Sequence, residues 1–448
     1  MSYDLIIKNG TLVTASSTYK ADIGITKGRI SAIAEDLKGE NVIDATGKLV
    51  TPGAIDTHVH LEMPIGKFTS TDDFYSGTKA AAFGGTTTII DFVETGKNQT
   101  MIEALNERKA KAESRSIIDF GLHMTIGPDD MEKLDQVQDA YNAGCRSFKI
   151  YMAYGMKLND GQILRAFEAI GETGGLPIVH AENWDAITTL IDKNISEGNT
   201  SPEWHTKSRP AILEAEAVGR VIDLATYVGV PVHIFHISCP EAIERVKNAR
   251  IQGHFVTAET CPQYLYLTDE VFEEEGVEGA LPICSPPIRG IIDQLELWEY
   301  LSSESFHTIS SDHCPFTREE KASGLSAFNT VPGGVPSIEM RFPSIYSKGV
   351  RGGFITENQW VDLCCTTPAW LFGLENKGDI QVGKDADLVI FDPKKEKQLS
   401  EDSLHEEAGW TPYKNMKITG WPEVTISRGE IIVKDGQCPA EKGRGQFV

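Results

Sequence analysis

The sequence predicts an α/β fold: a (β/α)8 barrel carrying a small β-sandwich assembled from both ends of the chain. Three observations predict it. Short apolar runs alternate with helical stretches through the middle of the chain. Histidines, a lysine and an aspartate recur at the ends of those runs. Both termini share a β-rich, turn-broken texture that the middle lacks.

Residues 5–13, 22–34 and 42–50 are β-rich, and Lys8-Asn9-Gly10, Lys27-Gly28 and Thr46-Gly47 punctuate them as hairpin turns. The texture returns at 386–391 and at 424–433 around Arg428-Gly429-Glu430. Two independent β units would leave each with too few strands to bury a face, so one sandwich is expected from 1–50 and 378–448. The barrel is then expected over 51–377. Its candidate strands are 56–60, 87–93, 117–125, 147–153, 177–180, 232–238, 254–259 and 306–312, with helices such as 160–173 and 214–227 between them. In such a barrel the working residues sit at the carboxyl ends of the strands.

Composition narrows the function. At 448 residues, 40% hydrophobic and 24% charged, the chain reads as a globular protein with ample core. Its 65 acidic against 42 basic side chains give a formal charge of −23, a field that repels nucleic acid and anionic lipid. No run approaches the ~18 apolar residues of a membrane span, and the start of the chain lacks the pattern of a signal peptide. The eight cysteines show no zinc-ribbon or CxxC spacing and read as reduced, packed thiols. A cytoplasmic protein is expected.

The chemistry lies at the strand ends. His58-Val59-His60 closes the first candidate strand, where residues two apart face one side and both imidazoles can approach one ion. Taken alone, the pair is also compatible with chance. Lys149 lies in the apolar run Phe148-Lys149-Ile150-Tyr151. It either extends its ammonium to the rim, or is kept neutral by desolvation and nearby cations and reacts with carbon dioxide. The carbamate so formed is a carboxylate on a long stem, able to bridge two metals. His180 ends the fifth candidate strand, His236 the sixth, and Asp312 the eighth. His233 is an odd number of positions from His236, so a regular strand turns only one of them inward, and His233 is taken as structural. His313 is expected to point away from the ions. His123, His205, His254, His307 and His405 have no ligand-like partner. Histidine, carbamate and carboxylate ligands suit two divalent ions, zinc first, with manganese or cobalt as alternatives.

In this order the motifs resemble the amidohydrolase superfamily, in its cyclic-amidase branch of dihydropyrimidinases, hydantoinases, allantoinases and dihydroorotases. The resemblance runs over nearly the whole chain. It is carried by Pro52-Gly53-Ala54-Ile55-Asp56-Thr57-His58-Val59-His60, by Gly84-Gly85-Thr86-Thr87-Thr88 and by Gly383-Lys384-Asp385-Ala386-Asp387-Leu388-Val389. Leu61-Glu62-Met63-Pro64, Ser208-Arg209-Pro210 and Glu259-Thr260-Cys261-Pro262-Gln263-Tyr264 lean toward hydantoinase and dihydropyrimidinase. The resemblance implies that His58, His60, Lys149 and Asp312 hold one ion, and that Lys149, as N6-carboxylysine, with His180 and His236 holds the other. It implies Tyr154 as proton donor to the oxyanion, Asp312 as proton acceptor, and main-chain contacts to the substrate ring at Ser285 and Gly333. In relatives the latter position is an asparagine of a Pro-Asn-Gly-Gly run, replaced here in Pro332-Gly333-Gly334-Val335.

The expected reaction is hydrolysis of a hydantoin or dihydropyrimidine to an N-carbamoyl amino acid. Allantoinase is the alternative, with Val335-Pro336-Ser337-Ile338-Glu339 leaning its way. A non-catalytic dihydropyrimidinase-related scaffold would show gaps at the ligand positions, and this chain shows none. Dihydroorotase is discounted, because Leu61 stands where that group places an arginine after the HxH. Relatives of this kind imply a homotetramer, and the segment 401–421, with Trp410 and Trp421, is expected to cover a neighbouring subunit.

Overall fold

The computed structural model describes residues 3–448. Its centre is an eight-stranded parallel sheet of Ala54–Asp56, Thr86–Val93, Asp119–Thr125, Ser147–Tyr151, Leu176–His180, Val232–Ile234, Val256–Thr260 and Thr308–Ile309. Spatial order follows chain order, as α-type crossovers between parallel neighbours require. The ends of the sheet meet through a parallel bridge between Val59 and His313, and the His60 N–H donates to the His313 carbonyl at 2.9 Å. The (β/α)8 expectation therefore holds.

Burial explains why the strands read as continuous apolar runs. All eight residues of Thr86–Val93 are buried, because helices cover one face and the barrel interior fills the other. The helix Asp160–Thr173 matches its expected span; Asn159 caps it through the Gln162 N–H, and Gly174 ends it in the left-handed region at φ 78°. The helix expected over 214–227 is longer, Ala211–Val228.

Several strands are shorter than expected. The first stops at Asp56, the sixth at Ile234 and the eighth at Ile309, so His58, His60, His236 and Asp312 lie just beyond strand ends. The cause at the sixth and eighth is local: His236 has φ 41° and Asp312 has φ 50°, and a left-handed residue interrupts the ladder.

The terminal strands form two further sheets. One is four-stranded and drawn entirely from residues before 50; the other is six-stranded and mixes strands from both ends. Ile7, Leu12, Ile23 and Val50 share one buried cluster with Leu388, Ile390, Val424 and Ile426. Within the segment 401–421 the two tryptophans pack inward. Trp410 and Trp421 are 3% and 4% exposed within the single chain. The Trp410 indole N–H donates to the Phe316 carbonyl at 2.7 Å, and the Lys397 ammonium lies 3.8 Å from the Trp421 ring centre. Both rings are satisfied inside their own subunit, while Asp402, Glu407, Lys414 and Lys417 of the same segment are exposed.

Candidate active site

The first, second, fourth, fifth and sixth barrel strands deliver their end residues, with the turns after the seventh and eighth, to one cavity of about 660 Å³. His58, His60, Lys149, Tyr154, His180, His236, Ser285, Asp312 and Gly333 all line it. Every residue expected at the site on sequence grounds is thus brought together.

On one side, His58 Nε2 and His60 Nε2 lie 3.2 and 3.3 Å from Asp312 Oδ1. The other His58 nitrogen, Nδ1, is 2.8 Å from Glu259 Oε1. Burial, then the Lys149 charge, holds the His58 imidazole well below its ordinary pKa, so it is neutral. With Nδ1–H given to Glu259, its Nε2 presents a lone pair to a carboxylate oxygen. Two acceptors at that distance call for a cation between them.

Across the cavity, His180 Nδ1 faces His236 Nε2 at 2.9 Å, while His180 Nε2 meets Glu182 Oε2 at 2.8 Å. Burial holds His236 neutral as well, and its Nδ1 has no hydrogen-bond partner among the described residues. Lys149 reaches between the two groups. Its ammonium nitrogen is buried without a hydrogen-bond partner among the described residues, 4.2 Å from the Phe235 ring centre and 4.9 Å from that of Tyr151. Desolvation lowers its pKa to about 7, against 10.5 ordinarily, so a neutral amine is available near neutrality. An unpartnered amine in an aromatic cage is costly as a cation. As a carbamate it would offer two acceptor oxygens. His58, His60 and Asp312 are placed to hold a metal ion.

Tyr154 stands at the rim with φ 65°, its ring 4.6 Å from Trp184 and 5.6 Å from His180. Burial raises its phenol to about 12, against the pull of the nearby Arg209 guanidinium, so it keeps the proton it would donate. Left-handed backbone at Tyr154, His236 and Asp312 is strain that the surrounding packing must hold. Gly334, at φ 143°, must stay glycine because a Cβ there would lie 2.2 Å from the Cys314 carbonyl oxygen. Gly333 is different: the nearest atom to a Cβ would be 4.0 Å away, so its lack of a side chain opens space.

The odd spacing of His233 and His236 does not put them on opposite faces. His233 packs against Phe235 and Phe372 within the barrel's inner cluster and hydrogen-bonds Thr257 at 2.8 Å, so it faces inward too, toward the floor. The positive φ of His236 turns the second imidazole inward at the mouth. His313 bonds Asp72 at 3.1 Å, away from the ligand group. His123 and His205 are buried and bonded to backbone carbonyls of Thr57 and Cys284.

Sequence reasoning missed the carboxylates that orient the ligands. Glu259, the last residue but one of the seventh strand, is pushed up to about 8 by burial, against the pull of a Ser310 hydrogen bond and the Lys149 charge. Glu182 binds both His180 and Arg209, the latter at 2.8 and 2.9 Å. Burial alone would raise the Glu182 pKa, but Arg209 overrides it and holds the carboxyl far below its usual range. Glu259 stood in a motif noted for resemblance alone, and Glu182 two residues beyond His180 was given no role. A carboxylate inside an apolar strand end was the available signal.

Residues 49–432 match the model of the amidohydrolase family. The chain belongs to the amidohydrolase family. It is 43% identical to a D-hydantoinase of Geobacillus stearothermophilus, over 99% of this chain and 96% of that one. It is 40% identical to a D-hydantoinase of Streptomyces coelicolor, over 100% and 98%. The crystal structure of a dihydropyrimidinase from Brevibacillus agri superposes with a TM-score of 0.97 at 39% identity, covering 99% of this chain and 98% of that one. As an amidohydrolase, the chain has reason to bring neutral imidazoles, an aspartate and a desolvated lysine to one barrel mouth.

Proposed function

We propose that this cyclic amidohydrolase hydrolyses the ring amide of a 5-substituted hydantoin or a dihydropyrimidine to an N-carbamoyl amino acid. The observation that carries the reading is the convergence in one cavity of four imidazoles, Asp312 and the unpartnered Lys149 amine, beside the Tyr154 phenol. The names of the similar proteins, D-hydantoinase and dihydropyrimidinase, support it.

In this reading His58, His60, Asp312 and carboxylated Lys149 would hold one ion, and carboxylated Lys149, His180 and His236 the other. Zinc is proposed, with manganese or cobalt as alternatives. Ions held by these residues would supply Lewis-acid polarisation of the ring carbonyl and a lowered pKa for the attacking water. The Asp312 carboxylate takes a proton from that water and delivers it to the leaving ring nitrogen. The Tyr154 phenol donates to the oxygen on which negative charge develops. Main-chain groups of Ser285 and Gly333 fix the ring. Glu259 and Glu182 hold His58 and His180 in the tautomers that turn a lone pair inward.

Allantoin is the second reading, favoured by the open space at Gly333. We further propose residues 51–377 as the catalytic unit, 1–50 with 378–448 as its satellite, a homotetrameric assembly and a cytoplasmic setting. Among the described residues, no helix is long and apolar enough to cross a membrane. The metal-loaded protein should open hydantoin, dihydrouracil or allantoin, with relative turnover separating the readings. Failure on all of them would defeat the proposal.

A further inference from the structure

Glu94 directly follows the second barrel strand, Thr86–Val93, on the same rim as the ligand residues. It lines the 660 Å³ cavity, and it also lines a neighbouring cavity of about 380 Å³; Met63 and Pro64 are likewise common to both. It therefore stands at the passage between them. The basic groups of the side cavity are already committed. Arg108 donates to Asp91 at 2.9 Å and to the Leu61 carbonyl at 2.5 Å, and Lys111 pairs with Glu62 at 2.6 Å. Glu107 there accepts only from the Gln99 amide, at 2.8 Å. Glu94 is exposed, and among the described residues its carboxylate makes no hydrogen bond or ion pair, although it lies within the field of His60 and Arg108. Around it, the wall of the main cavity is apolar, formed by Met63, Pro64, Ile65 and Met156.

Ser285 and Gly333 follow the seventh and eighth strands, whereas Glu94 follows the second. A ring held on the former pair leaves the wall at Met63, Pro64 and Glu94 to its substituent. We propose that Glu94 selects the exocyclic arm of the substrate, favouring arms that end in a cation or strong hydrogen-bond donor and rejecting arms that end in a carboxylate. This rests on the ring-opening reading given above. A lone carboxylate on an otherwise apolar wall is attracted to an opposite charge and repels a like one, and both effects act on discrimination. The chain's formal charge of −23 adds long-range attraction for cationic arms.

The test compares three hydantoins on the metal-loaded full-length enzyme, with 4-aminobutyl, 2-carboxyethyl and neutral n-butyl arms. The readout is kcat/KM for each arm in wild type, Glu94→Gln and Glu94→Lys. Wild type should prefer aminobutyl to carboxyethyl. Glu94→Gln should cut that preference about tenfold or more, chiefly through KM, and Glu94→Lys should reverse it. A preference unmoved by both substitutions, in an enzyme that opens the n-butyl hydantoin, overturns the proposal while leaving the ring-opening reading intact. If wild type opens none of the three, that reading falls and this inference with it.

Discussion

Glu182→Gln tests how the ligand histidines are held. In the folded chain Glu182 is buried, accepts two hydrogen bonds from Arg209 at 2.8 and 2.9 Å, and meets His180 at 2.8 Å. An amide keeps one acceptor oxygen and replaces the other with a donor, which then faces donors. Hydrogen bonds to charged groups contribute about 1.5–3 kcal/mol each, and Arg209 is left as a buried cation without its counter-charge. Breaking one partner of such a pair costs about 3–5 kcal/mol. Loss of the carboxylate also frees the His180 tautomer, for which metal affinity falls about 10- to 100-fold. Denaturant unfolding gives the first quantity and metal titration against a competing chelator the second. Arg209→Met in the same chain removes the stranded cation, so the double variant should regain part of the lost stability but none of the metal affinity. If Glu182→Gln matched wild type in both assays, the orienting role assigned to this carboxylate would be wrong.

Lys149→Ala should lose at least one ion and all turnover; full activity without the lysine would remove it from the site. Tyr154→Phe should lower kcat by about 10²- to 10³-fold, the usual cost of one oxyanion donor, with metal content unchanged; loss of metal instead would make the tyrosine structural. Lys321 is fully buried, donates to the Ile283 carbonyl at 2.9 Å, and is lowered by burial to about 7. The unfolded lysine holds its proton up to about pH 10.4, so between those values the unfolded chain binds more protons and stability rises with pH. Lys321→Met should flatten that rise in denaturation measured between pH 7 and 10. An unchanged slope would place the proton elsewhere.

The residues that announced themselves were polar groups in apolar surroundings at strand ends. Lys149 amid Phe148 and Ile150 and the histidines of His58-Val59-His60 were legible for that reason, because burying such groups without a task is costly. The barrel was legible too, since strands covered on both faces read as unbroken apolar runs. The orienting carboxylates were not. Glu259 lies 201 positions from the His58 it serves, and only the folded barrel sets that distance to 2.8 Å. Alternation failed at His233, which faces inward along with His236, because the left-handed backbone of His236, invisible in a pattern of side-chain types, breaks the regular period. The burial of Trp410 and Trp421 was not legible, because exposed and buried indoles look alike in sequence. Their partners, Phe316 and Lys397, are set by tertiary packing.

Native mass spectrometry of freshly purified protein, joined to elemental analysis of the same sample, bears most directly on the central claim. Two divalent ions per chain are expected, with the added mass of one carbon dioxide mapping to Lys149 and lost together with the metals on acid treatment. A chain carrying an unmodified lysine and no ions, yet active, would contradict it.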